Sequence, residues 1–133
     1  HWGTSEAGDI APLSWMDEVL IYATKTIDKK KIYLGIHFYG YDWLQKQGQD
    51  LTYAEVGELI SRYSLSVKTS SEGEKYFTYK KEKENHTVYF ADHETIAKRL
   101  DLVKKYDLAG AGLWRLGQED EANWQTISTI FSQ

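Results

Sequence analysis

The sequence predicts an α/β fold built on parallel strands, and two apolar runs carry that expectation. Ile32 to Phe38 is short, nearly continuous and rich in β-branched and aromatic residues, while Leu108 to Trp114 is a glycine-rich apolar run. Runs of this kind suit parallel strands buried on both faces. Each run is flanked by segments of helical periodicity, so with the middle of the chain set aside the order is helix, strand, helix, strand, helix. The 133 residues are 41% hydrophobic and 14% aromatic, enough for a packed core.

The elements follow in order. His1 to Pro12 is glycine-rich and polar with no sustained period, and reads as a loop. Ser14 with Asp17 resembles a capping box, and Met16, Val19, Leu20 and Ala23 fall on one face of a helix over about 13–27. A basic link, Asp28 to Lys31, leads into the first strand and then Tyr39-Gly40-Tyr41-Asp42-Trp43. Thr52 with Glu55 forms a second capping box before Val56, Leu59, Ile60 and Tyr63. Leu65-Ser66-Val67, Tyr76 to Tyr79 and Thr87 to Phe90 are β-like pieces of a small antiparallel meander, with Lys80 to Glu84 as a solvated hairpin turn. Asp92 can cap a helix carrying Ile96, Leu100 and Val103, and after the second strand a last helix carries Trp124, Ile127 and Phe131. The expected organisation is 1–43 (loop, helix, strand), 44–91 (an α+β insertion) and 92–133 (helix, strand, helix).

Composition narrows the partners. With 16 basic residues against 20 acidic ones, the net charge of −4 offers no broad attraction to phosphate backbones or anionic lipid, so neither nucleic acid nor membrane is expected as a partner. No stretch approaches the ~20 apolar residues of a membrane span. The absence of cysteine excludes a disulfide scaffold, a Cys-ligated zinc site and a cysteine nucleophile. His1, His37, His86 and His93 are scattered with no i, i+4 pair, so no metal site is expected. The start at His1 rather than Met reads as a truncation, with any export signal upstream.

Three ordered motifs go further: Tyr33-Leu34-Gly35-Ile36-His37-Phe38-Tyr39-Gly40-Tyr41-Asp42-Trp43, then Val88-Tyr89-Phe90-Ala91-Asp92, then Ala109-Gly110-Ala111-Gly112-Leu113-Trp114-Arg115-Leu116-Gly117-Gln118-Glu119-Asp120. Together they resemble glycoside hydrolase family 18, and within it the bacterial branch of spore cortex and cell-wall N-acetylglucosaminidases, from the first residue to about Trp124. The resemblance implies the C-terminal part of a (β/α)8 TIM barrel, since a whole barrel takes ~250 residues. It would supply strands seven and eight with flanking helices, carry the α+β insertion after strand seven, and place His1-Trp2 just after strand six.

The family's acidic signature, Asp-x-x-Asp-x-Asp-x-Glu, occurs nowhere in this sequence, and its strand-six Tyr-Asp pair would precede His1. The expectation is therefore the C-terminal part of an enzyme that cuts N-acetylglucosamine-containing polysaccharide, peptidoglycan or chitin, by substrate-assisted retaining hydrolysis, with no catalytic residue and no cofactor in this chain. Alternatives from other classes are a chitinase-like lectin and an interaction module. The sugar-binding candidates are Trp114 as a stacking platform, Tyr39 lining the cleft or packing beneath it, and more weakly Asp42, Trp43 and Trp2, each with a packing or surface role as the competing reading. Gln118, Glu119 and Asp120 read as helix caps, as does Asp92 in Asp92-His93-Glu94. The resemblance favours an extracellular, cell-wall or spore-associated location, and unpaired strand edges would favour a homodimer or other association.

Overall fold

The computed structural model describes residues 3–132. The chain forms α1 (Leu13–Thr26), β1 (Tyr33–His37), β2 (Gly40–Leu44), β3 (Gln47–Leu51), α2 (Tyr53–Tyr63), β4 (Lys68–Thr69), β5 (Lys75–Lys81), β6 (Glu84–Phe90), α3 (His93–Lys105), β7 (Gly110–Trp114) and α4 (Ala122–Phe131). They make an α/β arrangement with two sheets: a parallel pair β1-β7 and an antiparallel sheet in the order β3-β2-β6-β5-β4.

The parallel pair runs in register from Tyr33 opposite Gly110 to His37 opposite Trp114. Strand alternation divides its residues between two faces. Leu34, Ile36 and Phe38, with Ala111 and Leu113, turn toward a core completed by Met16 and Leu20 of α1, Ile96, Leu100 and Val103 of α3, and Ile127 and Ile130 of α4. Gly35 and Trp114 turn the other way, toward open space. Burial on both faces was the expectation for β1. Only one face is covered, because α1, α3 and α4 lie behind it, and Tyr33 and Trp114 are each 67% exposed. Neither outer edge of the pair has a strand neighbour among the described residues.

The second sheet has its own core. Val56 of α2 packs with Phe77, Tyr79, Val88 and Phe90, supported by Leu59, Ile60 and Tyr63. Burying such side chains contributes roughly 1.5–3 kcal/mol each. The capping box expected from Thr52 and Glu55 is present, Thr52 Oγ1 accepting from the Glu55 N–H and Glu55 from the Thr52 N–H. The β5-β6 turn places Glu82 and Lys83 at φ of 51° and 72°, the primed turn that matches strand twist.

Three local features depart from or add to the sequence reading. The antiparallel sheet begins at Gly40, where β2 pairs with β6 from Gly40 opposite Phe90 onward. Glycine is required there: a Cβ would sit 2.7 Å from the Phe90 Cβ and 2.8 Å from the Tyr89 carbonyl oxygen. The hairpin of β2 with β3 was not anticipated, since Gln47-Gly48-Gln49-Asp50 has no apolar alternation. Ser14 does not cap α1, which follows Pro12. Its N–H and hydroxyl instead donate to Glu72, at 2.8 and 2.9 Å, so a carboxylate from the insertion serves this helix end.

The two halves are fastened by a buried charge pair. Glu74 and Arg99 are both 0% exposed, with Arg99 Nη2 3.0 Å from Glu74 Oε1. Glu74 also accepts from the backbone N–H groups of Ile10 and Ala11, each at 2.9 Å. Arg99 donates onward to the carbonyls of Ala11 and Thr95. Burial pushes the Glu74 carboxyl upward, against the pull of Arg99 and the two N–H groups.

Removing one partner strands the other in a dry interior, so Glu74→Ala should cost about 3–5 kcal/mol in chemical denaturation, while Glu74→Leu combined with Arg99→Met should lose less. A loss under ~1 kcal/mol for the single change would show that the pair does not hold the halves together.

Candidate functional site

The open face of the parallel pair is the floor of a cleft of about 850 Å3. Gly35 lies opposite Gly112, and a Cβ built at either would meet nothing within 4 Å. The floor is therefore bare, and the Trp114 indole, at the end of β7, stands on it two-thirds exposed. One wall is Tyr39 and Tyr41, carried where the chain passes from β1 into the insertion; the other is Ser5, Ile10, Ala11 and Pro12 with Trp15 of α1. None of these lining side chains is a carboxylate.

Tyr39 and Tyr41 meet edge to face, with ring centroids 5.6 Å apart, and Tyr39 meets His37 in the same way at 5.4 Å. Burial first, then the neighbouring Tyr41 and Glu74, holds the Tyr39 hydroxyl above its ordinary range, so it remains a neutral donor and acceptor. His37 is nearly buried, with Nε2 3.3 Å from Glu74 Oε1. Burial and then the nearby Arg99 push its imidazole down to about 3, so it is neutral in ordinary conditions. Among the described residues no group of three or more His, Asp and Glu side chains is arranged to hold a metal ion.

The expected sugar-contacting residues are thus partly brought together. Trp114 and Tyr39 share the cleft. Asp42 faces the opposite side of the second sheet, accepting from the Tyr79 hydroxyl at 2.5 Å and lying 2.9 Å from His86 Nδ1. Trp43 is only 1% exposed, held between Tyr41 and Tyr89 and against Gly48. The reason is strand alternation: Tyr41 and Trp43 share one face of β2 and Asp42 the other, and the β3 hairpin covers Trp43. Neither lines the cleft. Trp2 lies outside the described residues. Tyr41 and Trp15 line the cleft without having been anticipated; the step of two from Tyr39 to Tyr41 was the signal for the first, once a strand is recognised there.

The connection leaving the floor is pinned at both ends. The Gln118 carbonyl accepts from the Tyr53 N–H at 2.9 Å, joining it to the start of α2. Asp120, one residue before the N-cap Glu121, accepts from the Ala122 N–H at 3.0 Å and also binds His93, while Glu119 accepts from the Gln118 N–H instead of capping α4. Asp92 caps α3 as anticipated, accepting from the Thr95 N–H at 2.9 Å.

Comparison with known proteins places this geometry. The profile described as "Glycosyl hydrolases family 18" matches residues 1–119. The chain belongs to glycosyl hydrolase family 18. Among its relatives it is 33% identical over 131 residues to "Uncharacterized glycosylase YvbX" of Bacillus subtilis, covering 95% of this chain and 38% of that protein. It is 26% identical over 142 residues to the "Cortical fragment-lytic enzyme" of the same species, covering 99% and 33% respectively. The chain thus spans well under half the length of these relatives. Among solved structures, a chitinase from Chromobacterium violaceum superposes with a TM-score of 0.92 at 30% identity, over 100% of this chain and 43% of that one. The spore cortex-lytic enzyme SleL of Bacillus megaterium gives 0.89 at 29% identity, over 96% and 32%.

A buried neutral His37 has a direct signature: its ring protons should show no titration between about pH 5 and about pH 8 in NMR. A midpoint near ~6.5 would mean that water reaches the ring and that the cleft wall is looser than described.

Proposed function

We propose that this chain is the C-terminal, sugar-binding part of a family 18 hydrolase that cuts an N-acetylglucosamine-containing polysaccharide, peptidoglycan or chitin. In this reading β1 and β7 are strands seven and eight of a (β/α)8 barrel. The support is their parallel pairing, the helices confined to one face, and the bare opposite face with unpaired edges. Active sites of such barrels lie at the C-terminal ends of the strands, where Trp114 and Tyr39 stand.

The observation that carries the reading is Trp114, a large flat ring left two-thirds exposed on a glycine floor. An indole so placed can stack on the C–H face of a pyranose while the rims of the cleft take the sugar's polar edge. Tyr39 and Tyr41 supply that rim, with the neutral Tyr39 hydroxyl on the one side and aromatic surface on the other.

Hydrolysis in this family is substrate-assisted: the sugar's own N-acetyl oxygen attacks the anomeric carbon, so a single protein acid must protonate the leaving oxygen. No lining residue here is a carboxylate, and Glu74 is spent behind the wall on Arg99 and two N–H groups. The chain's contribution is then binding and orientation, with the acid supplied by the rest of the barrel, and the chain by itself should not hydrolyse its substrate. The names of the relatives favour a cell-wall or spore-cortex setting for the whole protein.

Calorimetric titration of the full-length protein with N-acetylglucosamine oligomers tests the assignment. A stacked ring is worth ~0.5–1.5 kcal/mol beyond burial, so Trp114→Ala should weaken binding by about 2- to 13-fold, and by more where the lost area also counts. Unchanged affinity would remove Trp114 from the site.

A further inference from the structure

His37 stands directly across the parallel pair from Trp114 and lines the same cleft. Its ring meets Tyr39 edge to face at 5.4 Å, so it lies between the indole platform and the aromatic wall. Only 8% of the residue is exposed. Its Nε2 is buried without a hydrogen-bond partner, 3.3 Å from Glu74 Oε1 but not aligned to bond it.

The two ring nitrogens are therefore unequal. The Glu74 carboxylate is an acceptor here, bonded by the Ile10 and Ala11 N–H groups and by Arg99. A bare Nε2 beside it would set one lone pair against another, so the ring proton belongs on Nε2. Burial and the nearby Arg99 keep the imidazole neutral. A neutral ring with its proton on Nε2 carries a lone pair on Nδ1. Among the described residues no group donates to that lone pair, and what remains exposed of the residue opens to the cleft.

We propose that His37 is a sugar-binding residue of this cleft, its Nδ1 accepting a hydrogen bond from a hydroxyl of the pyranose that stacks on Trp114. The inference rests on the reading of Trp114 as a sugar platform and adds what that platform lacks. An aromatic face holds a sugar by its C–H groups, whereas a fixed acceptor selects for a donor at one place on the ring. The Tyr39 hydroxyl, able to donate or accept, makes no such choice. The His37 ring is held in place by the pairing of β1 and by its contact with Tyr39.

Two measurements on the full-length protein test this. Ring-nitrogen NMR with isotope-labelled histidine, His37 being assigned by its loss in His37→Phe, should show Nε2 protonated and Nδ1 bare. Saturation with an N-acetylglucosamine oligomer should then move the Nδ1 resonance upfield and leave Nε2 nearly in place. A proton on Nδ1, or an Nδ1 resonance unmoved at saturation, would overturn the proposal. In calorimetric titration with the same oligomer, His37→Phe keeps a flat ring against Tyr39 without an acceptor and should weaken binding by about 2- to 13-fold. His37→Asn, whose Oδ1 takes the place of Nδ1, should recover most of that loss. Unchanged affinity in His37→Phe, or an equal loss in both variants, would leave His37 a packing residue. Should Trp114→Ala bind as the unaltered protein does, the platform itself fails; should Trp114→Ala weaken binding while the His37 results go against expectation, only the acceptor fails.

Discussion

The Glu74 carboxylate is where three distant segments of the chain meet: the loop at Ile10 and Ala11, the insertion that carries Glu74, and α3 through Arg99. A carboxylate this deep is tolerable only when both oxygens are bonded, and here two N–H groups and a guanidinium bond them. Because the bonds run to backbone as well as side chain, the loop cannot shift without stranding a charge. That constraint holds one wall of the cleft, Ile10 to Pro12, in fixed relation to the other, Tyr39 and Tyr41. His37, on the floor between them, lies beside the same carboxylate, and burial with the nearby Arg99 keeps it neutral. The width of the cleft is thus set by an interaction that faces away from it.

Floor and wall have different origins, which suits a binding surface. At the middle of the floor the two parallel strands carry only glycine, Gly35 opposite Gly112, so the Trp114 ring at its end stands clear. The wall comes from an antiparallel sheet with its own core, free to differ in length and side chains without disturbing the strands beneath. What this part of the molecule offers is a fixed flat surface with the neutral Tyr39 hydroxyl at its edge.

Much of this was legible from residue pattern alone. Thr52 with Glu55, Asp92, and the apolar faces of Val56 to Tyr63 and Ile96 to Val103 are local signals, complete within a few residues of chain, and the structure shows them as anticipated. What failed was long-range. Ser14 has an acidic residue three positions on, yet its helix end is served by Glu72, 58 residues away, and Asp17 turns instead to Lys105 and Tyr106. The hairpin of β2 with β3 is polar and unpatterned and so went unseen, while Trp43, which carried a packing reading beside the cleft one, is buried against Tyr41, Tyr89 and Gly48. The Glu74–Arg99 pair left no trace in sequence at all, since each residue alone is an ordinary surface type; only tertiary contact makes either one structural.

Where a sugar lies decides whether the glycine floor is the binding surface. A crystal structure of the full-length protein soaked with an N-acetylglucosamine oligomer should show one pyranose ring stacked face-on over the Trp114 indole, with the Tyr39 and Tyr41 rings along its edge. Sugar bound clear of Trp114, or density on a different face of the chain with this cleft filled by protein, would contradict the assignment of the glycine floor as the binding surface.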